Sequence, residues 1–164
     1  MEIAHRIKTN IFLDDRGSFS PLSLKLLEKD WVQSNVSVNP KKWTLRGLHF
    51  QKGAYTQAKL IKVIHGKILD FVFDMRIDGG EDLQFFEMGP GDEIFVPRDY
   101  AHGFITLEEN TVVQYLVDND YNPQSEGSLV WSNFPEITKE ILKIDSSFNK
   151  DLVIISEKDL VEKL

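Results

Sequence analysis

The chain has 164 residues, 41% hydrophobic and 27% charged, the proportions of a soluble globular protein long enough to bury a real core. It contains no cysteine, which excludes disulfides and thiolate metal sites, and its net charge of −7 argues against nucleic acid as a main partner. No apolar run approaches the roughly 20 residues needed to span a bilayer, so no membrane partner is expected. The opening Met1-Glu2-Ile3-Ala4-His5-Arg6 lacks the apolar stretch of a secretory signal, and a cytoplasmic location follows as the default. An acidic body does not forbid a small anionic ligand, because Arg and Lys clustered in a cleft can still bind a diphosphate.

In chain order, the first predicted element is a short helix over Pro21–Lys29, with proline near its start and a face of Leu22, Leu26 and Leu27. The middle of the chain is dominated by short apolar and period-two segments. Leu60-Ile61-Lys62-Val63-Ile64 reads as a strand, His65-Gly66-Lys67 as a turn, and Ile68 to Asp74 as a strand alternating apolar with small or acidic positions. Gly79-Gly80 and Pro90-Gly91-Asp92 are breaks, and Glu93–Pro97 and Thr111–Val117 are further strands. Many short strands at this spacing indicate a sandwich or barrel rather than a parallel α/β sheet. Helices are expected again at Pro135–Leu142 and from Ser156, read as a cap with Asp159 three residues on. No repeat, low-complexity tract or linker interrupts the chain, so residues 1–164 read as one domain.

Three segments carry candidate chemistry: Asp15-Arg16-Gly17, Leu45-Arg46-Gly47-Leu48-His49-Phe50-Gln51, and Val96-Pro97-Arg98-Asp99-Tyr100-Ala101-His102-Gly103-Phe104. In the second, an Arg and a His stand three residues apart around a Gly, and Lys59 follows ten residues after the His. Two cations and a proton acceptor converging in a barrel mouth would suit an anionic carbonyl substrate. Each residue alone also has an ordinary reading, an Arg-Gly turn or a histidine at a strand edge, and spacing does not choose between them.

Arg46-Gly47-Leu48-His49-Phe50-Gln51, Gln57-Ala58-Lys59-Leu60, Pro97-x-x-x-Ala101-His102-Gly103-Phe104 and Ser156-Glu157-Lys158-Asp159 together resemble the dTDP-4-dehydrorhamnose 3,5-epimerase family, in matching order from about Asp15 to Asp159. The resemblance implies an all-β, cupin-type double-stranded β-helix (jelly roll) with a few short peripheral helices. It also implies an isomerase of deoxysugar biosynthesis that epimerises a nucleotide-linked 4-keto-6-deoxy sugar, as a homodimer without cofactor or metal. On that resemblance His49 is the base that takes protons from C5 and C3, and Tyr115 is the acid on the opposite face. Asp159 is the carboxylate paired with the histidine, and Lys59 lies by the sugar. Arg46, Gln33, Asn35, His102, Glu126 and Lys158 match ligand-binding positions, with Phe19 beside the first motif. Tyr121 falls where the family stacks an aromatic on thymine, though it also reads as a turn aromatic, and Glu126 also reads as a loop charge. Arg16 matches an arginine that reaches a nucleotide held largely by the partner subunit. Asp70 reads as a buried hydrogen-bonding partner near the site, whereas His5 and His65 match no motif.

The roles are chemically coherent. Removing a proton beside a ketone leaves negative charge on O4, which a fixed ammonium such as Lys59 stabilises more in the transition state than in the ground state. Histidine as a residue type titrates near neutrality and serves as a base without extreme tuning. Arg16, Arg46 and Lys158 supply cations for a diphosphate.

The sequence also departs from the family. Ser18-Phe19-Ser20-Pro21 puts proline where the family has a nucleotide-binding glutamate, and Asp145-Ser146-Ser147 stands where Asp-Trp-Pro is usual. Neighbouring readings are a single-site 3- or 5-epimerase or a ketoisomerase on a related nucleotide sugar. More distant ones are a metal-dependent cupin, which lacks its His-x-His here because Gln51 follows His49, and a non-catalytic sugar-nucleotide binder.

Overall fold

The computed structural model describes residues 2–15, 17–21, 28–76 and 83–164. The chain forms the all-β jelly roll expected: two five-stranded antiparallel sheets face to face. One runs β1 (His5–Ile7), β9 (Glu93–Val96), β6 (Lys59–His65), β11 (Thr111–Val117), β4 (Gln33–Asn39). The other runs β12 (Glu126–Ser128), β5 (Leu45–Gln51), β10 (Tyr100–Thr106), β7 (Ile68–Asp74), β8 (Leu83–Met88). A separate hairpin pairs β2 (Phe12–Asp14) with β3 (Gly17–Phe19). The Pro21–Lys29 helix, the Gly79-Gly80 break and Arg16 fall wholly or largely outside the described residues.

Strand β7 shows how sequence period becomes layering. Ile68 and Val72 join Ile61, Val63, Ile94 and Val113 in a core between the sheets. Leu69 and Phe71, on the alternate phase, pack outward in a second core with Ile137 and Ile141 of the helix α1 (Pro135–Ile144). Proline at the first turn starts α1, and the i, i+4 spacing of its two buried isoleucines faces it to the sheet. Burying each isoleucine contributes roughly 2 kcal/mol. Residues on both phases of β7 are thus apolar because both faces are covered. Asp70 and Asp74 are the exceptions, buried at 0% and 4% exposure.

The short C-terminal helix expected from Ser156 is present as a 3₁₀ helix, Glu157–Leu160. Ser156 precedes it, but its hydroxyl makes no capping bond, and the backbone bond from Asp159 N–H to Ser156 O, 2.9 Å, closes the turn instead. Gly66 turns the chain between β6 and β7 with φ +76°, as the His65-Gly66-Lys67 reading anticipated.

Strands β5 and β10 approach unusually closely at two glycines. Gly47 has φ +112°, and a Cβ there would lie 2.5 Å from both Gly103 Cα and His102 O. Next to this contact the β5–β10 register shifts between His102 and Phe104, while His49 stays opposite His102. Gly47→Ala should therefore destabilise the fold by about 2–3 kcal/mol and lower Tm by roughly 5–10 °C. Gly89→Ala, where an added Cβ meets nothing within 4 Å, should leave Tm within about 2 °C. Thermal unfolding followed by circular dichroism checks both; equal shifts in the two variants would remove the packing explanation.

Candidate active site

Beside the inter-sheet core, which shares Phe104 and Val113 with it, the two sheets border a cavity of about 620 Å³, within the range of small-ligand sites. His49, Lys59, Arg46, His102, Tyr115, Tyr121, Glu126, Lys158 and Asp159 all line it. Nine of the residues singled out in the sequence thus converge on one space, although they span residues 46 to 159.

At its centre His49 Nε2 lies 2.7 Å from Asp159 Oδ1. The Gly47 N–H donates to the other carboxylate oxygen over 3.5 Å. Burial alone would raise the Asp159 pKa. The hydrogen bond and charge of His49, the Gly47 N–H and the Lys158 ammonium outweigh it, and the net shift is downward. An ionised Asp159 holds the proton of His49 on Nε2. The lone pair of Nδ1, which has no partner among the described residues, is then free to act as a base.

Tyr115 projects from β11 on the opposite sheet, so the phenol and the imidazole face the cavity from two sides. Burial pushes its pKa up from 10, against the pull of Arg46 and Lys158, and the phenol keeps its proton at neutral pH. Lys59, at the start of β6, donates to the His49 carbonyl over 3.4 Å. Burial lowers its pKa from 10.5 to about 8, while the carboxylates of Asp70 and Glu126 draw it back upward. Its ammonium is charged at neutral pH, and in this buried setting of low dielectric it would act more strongly on an oxyanion placed beside it than it would in water.

A second histidine–carboxylate pair lies beside the first. His102 Nε2 is 2.7 Å from Asp70 Oδ2, and Asp70 is fully buried on β7. Burial raises the Asp70 pKa, opposed by the charge and hydrogen bond of His102 and then by Lys59. Arg46 is aimed by Asn39, a buried residue that sequence reasoning did not single out: Arg46 Nε donates to Asn39 Oδ1 at 2.8 Å, and Asn39 Nδ2 donates to Thr111 O at 3.1 Å. Ser37, Gln51, Gln57 and Ser156 are further lining residues not assigned beforehand.

Toward solvent, Lys158 Nζ lies 3.5 Å from Glu126 Oε1, and Tyr121 is 52% exposed. Gln33 and Asn35 are bonded to each other (2.6 Å) and share a strand face with Ser37, but they do not line the cavity. Phe19 is 66% exposed on the β2–β3 hairpin and is likewise not a lining residue. Both His5, on β1, and His65, at the end of β6, are exposed and outside the cavity. Among the described residues, no three His, Asp or Glu side chains group so as to hold a metal ion, and no helix is long and apolar enough to cross a membrane.

The family profile for dTDP-4-dehydrorhamnose 3,5-epimerase matches residues 2–164. The chain belongs to this family. A Salmonella typhimurium dTDP-4-dehydrorhamnose 3,5-epimerase is 32% identical over 169 aligned residues, covering 96% of this chain and 88% of the relative. The crystal structure of the Bacillus anthracis epimerase, with TDP and PPi bound, superposes with a TM-score of 0.82 at 30% identity, covering 98% of this chain and 93% of that one. The Legionella pneumophila epimerase in complex with dTDP-4-keto-L-rhamnose gives a TM-score of 0.79 at 29% identity, covering 98% and 87%. This family member is therefore an isomerase.

The depressed Lys59 pKa gives a pH signature. Lys59 is charged below about pH 8 and neutral above it, so kcat should fall on the alkaline side of about pH 8 if its ammonium stabilises the oxyanion. Lys59→Arg, whose guanidinium does not titrate there, should abolish that limb. Lys59→Met should lower kcat about 10²–10³-fold. A limb that persists at the same pH in Lys59→Arg would assign it to another group.

Proposed function

We propose that this chain epimerises a dTDP-linked 4-keto-6-deoxy sugar at C3 and C5. The observation that carries this reading is the pairing of an Asp159-held imidazole with a protonated phenol on the opposite sheet, across one cavity that also holds a cation. His49 Nδ1 takes the proton from the carbon beside the C4 ketone, and the C–H electron pair moves into the enolate. Lys59 stabilises the negative charge on O4, and Tyr115 returns a proton from the other side, which inverts the carbon. Each exchange leaves imidazolium and phenolate, which solvent resets.

The remaining lining residues suit the nucleotide. Tyr121 offers an exposed ring for the base, and Arg46 and Lys158 supply charge for the diphosphate. The ligands named for the Bacillus and Legionella structures support this choice of substrate. The cytoplasm is the setting proposed for this epimerase.

Incubation with dTDP-4-keto-6-deoxyglucose in deuterated water should place label at both C3 and C5, read by NMR. Label at one carbon would reduce the reading to a single-site epimerase, and no label would reject the substrate. His49→Asn should abolish exchange at both carbons while leaving dTDP affinity within about threefold. Tyr115→Phe should still allow proton removal but block net inversion.

The working unit proposed is a homodimer. Every described residue of the β2–β3 hairpin is exposed, with Phe12 at 57% and Leu13 at 79%, although isolated two-stranded hairpins are marginal in water. Val36 and Val38 on the edge strand β4 are 62% and 60% exposed, an apolar face suited to a second copy. The family resemblance gives Arg16 to the partner's nucleotide. Sedimentation should give about twice the 18.9 kDa chain mass. Val36→Asp combined with Val38→Asp should yield monomers with impaired turnover; a fully active monomer would overturn the assignment.

A further inference from the structure

Tyr121 is 52% exposed, so burial does little to fix its ring; its hydroxyl meets the Glu126 carboxylate at one end, and the peptides to either side set where the ring begins. Gln51, on β5 and only 8% exposed, commits its side-chain amide to those peptides. Its Nε2 donates to the Asp120 carbonyl and to the Tyr55 carbonyl, each at 3.0 Å, and its Oε1 accepts from the Asn122 N–H at 2.7 Å. Asp120 and Asn122 bracket Tyr121. Both N–H protons of the amide are used, so Gln51 has no donor left for a ligand even though it lines the cavity. Two neighbouring amides brace the same loop. Gln57 donates to the Asn119 carbonyl at 2.8 Å, and Asn119 donates to the Ala54 carbonyl at 2.8 Å, in the 3₁₀ turn Gly53–Tyr55.

We propose that Gln51 is a positioning residue for nucleotide recognition, its amide holding Tyr121 ready as the platform on which the base stacks. The inference rests on the reading that Tyr121 meets the base. Its physical content is preorganisation: a ring already fixed in the free protein loses less conformational freedom when the nucleotide arrives. With both donors of Gln51 committed to the loop, its effect on the nucleotide passes through Tyr121.

A double-mutant cycle read by calorimetric titration with dTDP tests this. Tyr121→Ala should weaken dTDP about tenfold, the expected size of a lost base–aromatic stack. Gln51→Met, of similar length but without the amide, should weaken dTDP about three- to tenfold in the parent protein, and less than about 1.5-fold in the Tyr121→Ala background. Kinetics should show the loss mainly in KM, with kcat at saturating substrate falling less than about twofold. Equal losses in both backgrounds, or full dTDP affinity in folded Gln51→Met, would overturn the positioning role and leave the stacking reading standing. Full affinity in Tyr121→Ala would overturn the stacking reading and this inference with it. If Gln51→Met does not fold, Gln51→Glu enters the same cycle, since it keeps the acceptor for Asn122 but loses both donated bonds.

Discussion

The site depends on the contact between two strands that have almost no room between them. Where β5 crosses β10, Gly47 faces Gly103 and the His102 carbonyl at a distance that excludes any side chain. That approach sets His49 directly opposite His102. It also brings the Gly47 N–H toward the Asp159 carboxylate, so one backbone contact places His49 beside His102 and helps anchor the carboxylate paired with His49. The Arg-Gly and His-Gly dipeptides are thus conditions for the imidazoles to share a cavity, and not merely turns.

Electrostatics then distinguish groups that composition would treat alike. Two carboxylates, Asp70 and Asp159, are buried against two imidazoles at the same 2.7 Å distance, yet their pKa values move in opposite directions. Asp70 sits on β7 facing the inter-sheet core, where the burial cost prevails over the help from His102 and Lys59. Asp159 receives a backbone N–H and a nearby ammonium besides its histidine, and these outweigh burial. The carboxylate at His49 is accordingly the one whose charged form its surroundings favour, which suits the partner of the proposed base. Asp70 and Glu126 both lie near enough to Lys59 to draw its pKa upward against the burial that lowers it.

Much of this was legible before any coordinates. Strands β6, β7, β9 and β11 follow from short apolar runs cut by turn residues, and α1 from Pro135 and its isoleucine spacing. The linked motifs assembled His49, Lys59, Tyr115, His102 and Asp159 because each lies on, or next to, a strand that the two sheets bring to one cavity. What escaped was local and amide-based. Asn39 and Gln51 act through hydrogen bonds to segments up to 72 residues away, and neither period nor motif registers such bonds. The short C-terminal helix is there with Ser156 at its N-cap position, but as a single 3₁₀ turn closed by the backbone and without the hydroxyl bond that the Ser and Asp spacing suggested.

One signal was present in the sequence but reads backwards. In β4, Asn35, Ser37 and Asn39 take the more buried phase while Val36 and Val38 face outward, the inverse of the usual strand. Polar residues inside suit a wall that continues into a polar cavity, and valines outside suit a face covered by another chain. The same logic bears on Pro21, exposed where the family keeps a nucleotide-binding glutamate. In the proposed binding mode, the loss of that carboxylate leaves the base one polar contact fewer, and recognition leans harder on the ring of Tyr121. An exposed ring is only as good a platform as its loop is rigid, and that is the weight the proposal places on the buried amide of Gln51.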